Sequence, residues 1–244
     1  VRTLCCEAAM SVNGTTHATI SGRKLTRREI EAEAQSGMPA HLVDCDVQEA
    51  NLARLTLAGW TFENCRLQKV RFDGAVLHDA RFVSCRGAFA SFVGADLADA
   101  SFTGSDFNNG SFRGAGLASV RFARCKLTGA DFTEIKALDL TIEESVLVCA
   151  KMPSRSFRKA RLRQIDFADA DLRKCDFREA VFEACSLRNA NLADCRFEGA
   201  DLRRVDLGGI RLMDATRFKG AVISHTQAGE LLAQLGLIVI QASR

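Results

Sequence analysis

From Leu42 to Leu212 the chain places an apolar or small residue at every fifth position, those whose numbers end in 2 or 7. Most are Leu or Phe, and Gly87 and Ala137 are the weakest members. Two residues before each of these centres stands a second inward candidate, usually Ala, Cys, Val or Ser. A period of five fits neither the 3.6 of an amphipathic helix nor the 2 of a half-buried strand. Self-similarity at a short fixed period marks a solenoid, in which each repeat buries its apolar face against the next. The repeating unit must therefore be a corner.

Ala95-Asp96-Leu97, Ala170-Asp171-Leu172, Ala190-Asn191-Leu192 and Ala200-Asp201-Leu202 spell out the motif A(D/N)LXX. On these segments the chain resembles the pentapeptide-repeat proteins, over about 170 of its 244 residues. The resemblance implies an all-β fold, a right-handed quadrilateral β-helix. One pentad makes each side of a square, four make a coil, and short helices cap the two ends.

A coil of twenty residues stacks residues twenty apart, and the sequence can be tested for that. Phe62, Phe82, Phe102 and Phe122 fall in one column of centres, and Phe72, Phe92, Phe112 and Phe132 in the opposite one. Phe157, Phe177 and Phe197 occupy a third. These rings are expected to stack along the axis and form the core. The ten cysteines obey the same arithmetic: Cys45, Cys65, Cys85, Cys125 and Cys185 share a column two before a centre, and Cys175 and Cys195 share another. That position takes small buried residues, and a free Cys behaves as a small hydrophobe. A core role is expected for them, with a metal or redox ladder as the alternative. Cys5, Cys6 and Cys149 lie outside the inward set.

The ends depart from the repeat and define four segments. Residues 1–24 read as a flexible lead, Ser/Thr-rich from Ser11 to Ser21, with a lone His17. Its start lacks the charged region and long apolar core of a secretory signal, and Met10 is an alternative first residue. Residues 25–40 read as a capping helix: Thr26 and Glu29 form a capping box, Leu25 and Ile30 the staple around it, and Gly37 with Pro39 end the run near residue 35. Residues 41–224 are the β-helix, least regular between Glu134 and Phe157, where Arg155 takes a small residue's place and Val146 and Val148 add an apolar spot. Past Leu212 the frame slips by one, making Phe218 and Ile223 the centres. Residues 225–244 read as a helix capped by Thr226, ended by Gly236, and followed by a short strand through Leu237-Ile238-Val239-Ile240.

Charge adds one feature. The net charge is +3 with pI near 8.4. Residues 41–150 carry 11 basic and 14 acidic side chains, net −3, and residues 151–219 carry 16 and 11, net +5. The densest basic run is Arg155, Arg158, Lys159, Arg161 and Arg163, a solvated surface or a surface for a partner, with direct nucleic-acid binding unsupported by any motif. Catalysis finds no foothold: His17, His41, His78 and His225 are scattered, and no nucleophile-base set, phosphate loop or metal-ligand spacing accompanies them. No enzyme activity, metal or cofactor is expected. No apolar run approaches the ~20 residues that span a bilayer, and the chain reads as cytoplasmic, without membrane partners.

The tail narrows the resemblance. Leu231-Leu232-Ala233-Gln234-Leu235-Gly236-Leu237, with the preceding Val205-Asp206-Leu207-Gly208-Gly209, is similar to the close of the quinolone-resistance (Qnr) and related topoisomerase-protecting members. The resemblance covers about 35 residues and implies a homodimer joined at the C-terminal tip. Leu231, Leu232, Leu235, Leu237 and Val239 are its candidate interface, a fold-back cap being the alternative role. It implies a bacterial protein that binds DNA gyrase or another type II topoisomerase and gives drug resistance. Two departures stand against the subfamily pattern: those proteins are commonly acidic, and many carry loop insertions that this unbroken frame lacks. The competing reading is a protein-interaction scaffold or secreted effector with another partner.

Overall fold

The computed structural model describes residues 18–208 and 212–240. Contacts divide the chain into two compact units, Val1–Ser145 and Val146–Arg244. Both are β-solenoids of the type the pentads imply.

In the N-terminal unit, strand β1 (Ala18–Ser21) and helix α1 (Arg27–Ala34) precede β2 (Ala40–Val43). After them β3 (Thr61–Glu63), β4 (Arg81–Val83), β5 (Ser101–Thr103), β6 (Arg121–Ala123) and β7 (Thr141–Glu143) recur every twenty residues. β1 to β7 form one parallel sheet in register, with Phe62 on Phe82, Phe82 on Phe102 and Phe102 on Phe122. This sheet is the first side of the square. The second side is centred on Val47, Leu67, Gly87, Phe107 and Leu127, the third on Leu52, Phe72, Phe92, Phe112 and Phe132, and the fourth on Leu57, Leu77, Leu97, Leu117 and Ala137. These three sides hold single bridges between coils where the first holds strands.

The pentad's chemistry is visible at each corner. Leu97 O accepts from Ala100 N at 2.9 Å, closing a turn whose third residue, Asp99, has φ +60°. Left-handed φ recurs at such third positions from Asp44 to Gly199, which is why Gly, Asn and Asp are frequent there. The Asp or Asn before a centre closes the turn from the other side: Asp96 Oδ1 accepts from Ala98 N at 3.3 Å, and Asp131 Oδ1 from Thr133 N at 2.9 Å. An acceptor two residues from the amide it serves is an Asx turn, and it accounts for the D/N of the motif.

Inside, every centre from Leu42 to Phe132 that carries a side chain is buried. Ring centroids along the first-side column lie 5.0, 4.6 and 4.6 Å apart and nearly parallel. The third-side column is spaced 5.1, 4.9 and 4.8 Å. Across the axis the two columns meet edge to face, as Phe82 does with Phe92 at 5.7 Å. Gly87 has its own reason: a Cβ there would lie 2.2 Å from Phe107 Cε1, so the ring of the next coil occupies the space a side chain would need. The pattern falters at Ala137, which is half-buried, and beside it Leu138 is 72% exposed.

The C-terminal unit repeats the plan with β8 (Arg161–Arg163) paired to β9 (Val181–Glu183), and β10 (Cys185–Ser186) to β11 (Val205–Asp206). Phe157, Phe177 and Phe197 stack at 5.1 Å each. A 3-10 helix (Leu212–Phe218) then takes up one extra residue, so that Phe218 rests on Phe197 at 4.9 Å and Val222 bridges Asp201, twenty-one residues apart. Helix α2 (His225–Ala233) follows.

Four expectations are corrected. Residues 1–24 are not all lead, because β1 pairs Ile20 with Leu42 and starts the first sheet; residues 1–17 lie outside the described part. The pentads end before Leu212, whose 3-10 turn breaks the 41–224 span. The cap of α2 is Ser224, whose hydroxyl accepts from Gln227 N while Gln227 Oε1 accepts from Ser224 N, a reciprocal box that Thr226 is too late to make. Leu237 to Ile240 form no strand, having no ladder to join.

Candidate interaction surfaces

With the interior filled, function falls to the corners, the outward rows and the ends. The cysteine column lies at the corner after the first side, where the turn lacks the N–H to carbonyl closure of the other three. Its side chains supply that closure. Cys65 Sγ donates to Glu63 O at 3.3 Å and lies 3.4 Å from Leu42 O, and Cys85 Sγ lies 3.2 Å from Phe62 O. Where Ser replaces Cys it does more: Ser105 Oγ donates toward Thr103 O or Phe82 O, both 3.1 Å away, and accepts from Cys85 N at 2.9 Å. The column is thus polar in its work as well as apolar in its packing. Burial pushes the Cys125 thiol up to about 11 and raises Cys185 likewise. Cys45, Cys65, Cys85, Cys125, Cys175, Cys185 and Cys195 are buried, and Cys149 is exposed. Among the described residues no group of three or more His, Cys, Asp or Glu is placed to hold a metal ion.

The basic run does not converge. Arg158 and Lys159 both reach Glu179, at 2.9 and 3.6 Å, and Arg161 reaches Glu183 at 3.4 Å. Arg155 Nε donates to Pro153 O at 3.3 Å, and Arg163, on β8, is engaged as well. Carboxylates one coil later neutralise most of the run, leaving a mixed surface. The same unit pairs Arg173 with Asp171, Arg178 with Asp176 and Arg203 with Asp201, each through two guanidinium nitrogens. Hydrogen bonds from Arg178 and Arg203 hold Asp176 and Asp201 at about 2.

Each solenoid end is closed by side chains reaching to carbonyls that have no further coil to serve. Arg27 Nη1 of α1 donates to Asn51 O and to Ala53 O. Gln227 of α2 is buried, and its Nε2 donates to Leu202 O and Val205 O, each at 2.8 Å. Neither residue stands out from the periodicity, although the Ser224–Gln227 spacing is a capping box legible in the sequence. A cavity of about 270 Å³ lies beside α2, lined by Phe218, Ile223, Gln227, Glu230 and Leu231 among others.

At this tip the candidate interface divides. Leu231 and Leu232 are half-buried and largely used by the unit itself. Leu235 and Leu237 are 59% and 53% exposed, while Val239 is 37% exposed, its Cβ lying where a Cβ on Gly229 would meet it at 3.7 Å. Ile238 at 88% and Ile240 at 82%, absent from the sequence-derived set, are the most exposed aliphatics among the described residues. No helix among the described residues is long and apolar enough to cross a membrane.

Comparison with known proteins agrees with this geometry. A family profile described as "Pentapeptide repeat region" matches residues 56–132, and one described as "Pentapeptide repeats (9 copies)" matches residues 157–206. No curated protein matches the chain. Among solved structures it is similar to full-length QnrB1, a plasmid-mediated fluoroquinolone resistance protein, at 20% identity over 81% of this chain and 100% of that one, TM-score 0.69. A trypsin-treated variant of QnrB1 matches at 22% identity over 84% and 100%, TM-score 0.68. At such identity the likeness is one of fold.

Proposed function

From the chain's membership of the pentapeptide-repeat family we infer a non-enzymatic binding protein, and we propose that it docks on DNA gyrase or a related type II topoisomerase and protects it from quinolones. The observation that carries this reading is the tip: Leu235, Leu237, Ile238 and Ile240 stay exposed beyond what α2 needs to close its own unit. Exposed apolar side chains gathered beside α2 suit a contact between two copies, and a two-fold assembly suits a two-fold enzyme. The fold likeness to QnrB1, a fluoroquinolone resistance protein, supports the same direction.

The test is a gyrase supercoiling assay with and without a quinolone, run beside sedimentation. Wild type is expected to restore supercoiling in the presence of drug and to sediment as a dimer at tens of micromolar. Leu235→Asp with Ile238→Asp should give a folded monomer that protects poorly. A wild-type monomer, or no effect on drug-inhibited supercoiling at saturating protein, would remove the reading.

A further inference from the structure

The second side of the N-terminal unit carries a patch that the solenoid does not need. Its row of residues before the centres runs Asp46, Arg66, Arg86, Asp106 and Lys126, entered from Lys24, with Arg66 and Arg86 in direct register on neighbouring coils. Like charges opposed on adjacent strands ~4.8 Å apart repel. Arg66 turns away to Asp46 at 3.6 Å, and Arg86 forms no ion pair among the described residues. Asp106, the next in line, spends its Oδ1 on Asn108 N at 3.1 Å.

Two positions after the centres, the left-handed row reads Glu49, Lys69, Phe89, Asn109. Among the described residues every other non-glycine residue with left-handed φ is polar or small, and Phe89, at φ +60°, is the one large apolar member. A bulky side chain in that region is strained, and this one is also 59% exposed. Its turn, Gly87–Ala90, is closed by Ala90 N donating to Gly87 O at 3.0 Å, so the ring is carried outward on a fixed corner. Opposed arginines and a strained, exposed aromatic thus share the second side and the corner that ends it. Asn or Gly at 89 would relieve the backbone strain without touching the core.

We propose that this corner docks an acidic protein segment carrying an apolar side chain, its carboxylates on Arg66 and Arg86 and its apolar group against Phe89. Charge complementarity selects this occupant. The arginine pair is bounded by Asp46 and Asp106, which separate it from Lys24 and Lys126 in the same row, and the unit around it is net negative over residues 41–150. A phosphodiester strand requires a continuous basic track, which those flanking carboxylates interrupt. The site is separate from the C-terminal tip and does not depend on topoisomerase binding.

The test uses the full chain and an array of short acidic peptides that each hold one Phe, Leu or Ala among their carboxylates. The Phe and Leu peptides should bind in a salt-sensitive way and the Ala peptides weakly. Arg86→Asp and Phe89→Gly should each weaken binding about tenfold with an unchanged circular dichroism spectrum, while Arg204→Asp in the other unit should leave it intact. Binding to no peptide, binding indifferent to both variants, or an oligothymidine strand held as tightly with the same sensitivity would each overturn the proposal.

Discussion

Removing the benzyl group of Phe102 puts the strongest demand on the packing scheme. Its ring is fully buried, stacked at 4.6 Å on both Phe82 and Phe122, and meets Phe92, Phe107 and Phe112 edge-on between 5.3 and 5.8 Å. Withdrawing that ring from the interior costs a transfer term of ~2–3 kcal/mol. The void of roughly 100 Å³ adds about 2 kcal/mol at ~24 cal/mol per Å³. Collapse into the void is opposed because the backbone of each neighbour is hydrogen-bonded to the adjacent coil, as Phe92 N is to Ser111 O and Phe112 N to Asp131 O. Phe102→Ala should therefore lie near the upper end of the ~3–5 kcal/mol found for such truncations. Equilibrium urea unfolding would measure it, with hydrogen exchange to locate it, since a solenoid can open coil by coil. Arg81→Ala, exposed on β4, is the control and should stay within about 0.5 kcal/mol. A loss below about 1.5 kcal/mol for Phe102→Ala, or equal losses at both sites, would refute the column as the source of stability.

Ser105→Ala should cost about 1–3 kcal/mol by leaving the buried Cys85 N–H without an acceptor; a neutral result in urea unfolding would show that the column is filled for size alone. Among the described cysteines only Cys149 should react quickly with a thiol reagent under native conditions, the buried and proton-holding Cys65, Cys125 and Cys185 lagging until the chain unfolds; mass spectrometry of a labelling time course decides it. Asp176 has a folded pKa of about 2, below its unfolded value, so its contribution is present above about pH 4 and is lost as pH falls toward 2. Asp176→Asn should flatten the stability-pH curve within that window by less than about 1 kcal/mol, and a change confined to neutral pH would contradict the assignment.

The inward half of this molecule was legible because a five-residue period leaves little freedom: each Phe column follows from counting by twenty. The outward half was less so, for identifiable reasons. Arg158 and Arg161 look like a cluster along the chain, and their partners Glu179 and Glu183 become neighbours only when the coil is wound. Ser105 looks like a small filler until the corner after the first side is seen to lack its own closure. Leu231 and Leu232 carry the helical spacing that suggested an interface, but the unit partly consumes them, and the free aliphatics stand in the irregular segment where no period points. Gln227 illustrates the converse, since its capping partner Ser224 was readable and its bonds to Leu202 and Val205 were not.

The corner chemistry bears on how such a chain can change through time. Three of the four pentads in a coil close their own turn through the backbone, so gaining or losing five residues leaves those turns whole. It also turns all later sides by a quarter about the axis. A change of twenty residues keeps every row aligned and alters only the number of coils. A change of one calls for a device such as the 3-10 helix Leu212–Phe218, which absorbs the extra residue and still seats Phe218 on Phe197. Surfaces on this scaffold can thus be re-aimed in discrete steps by length alone, before any exposed side chain is replaced.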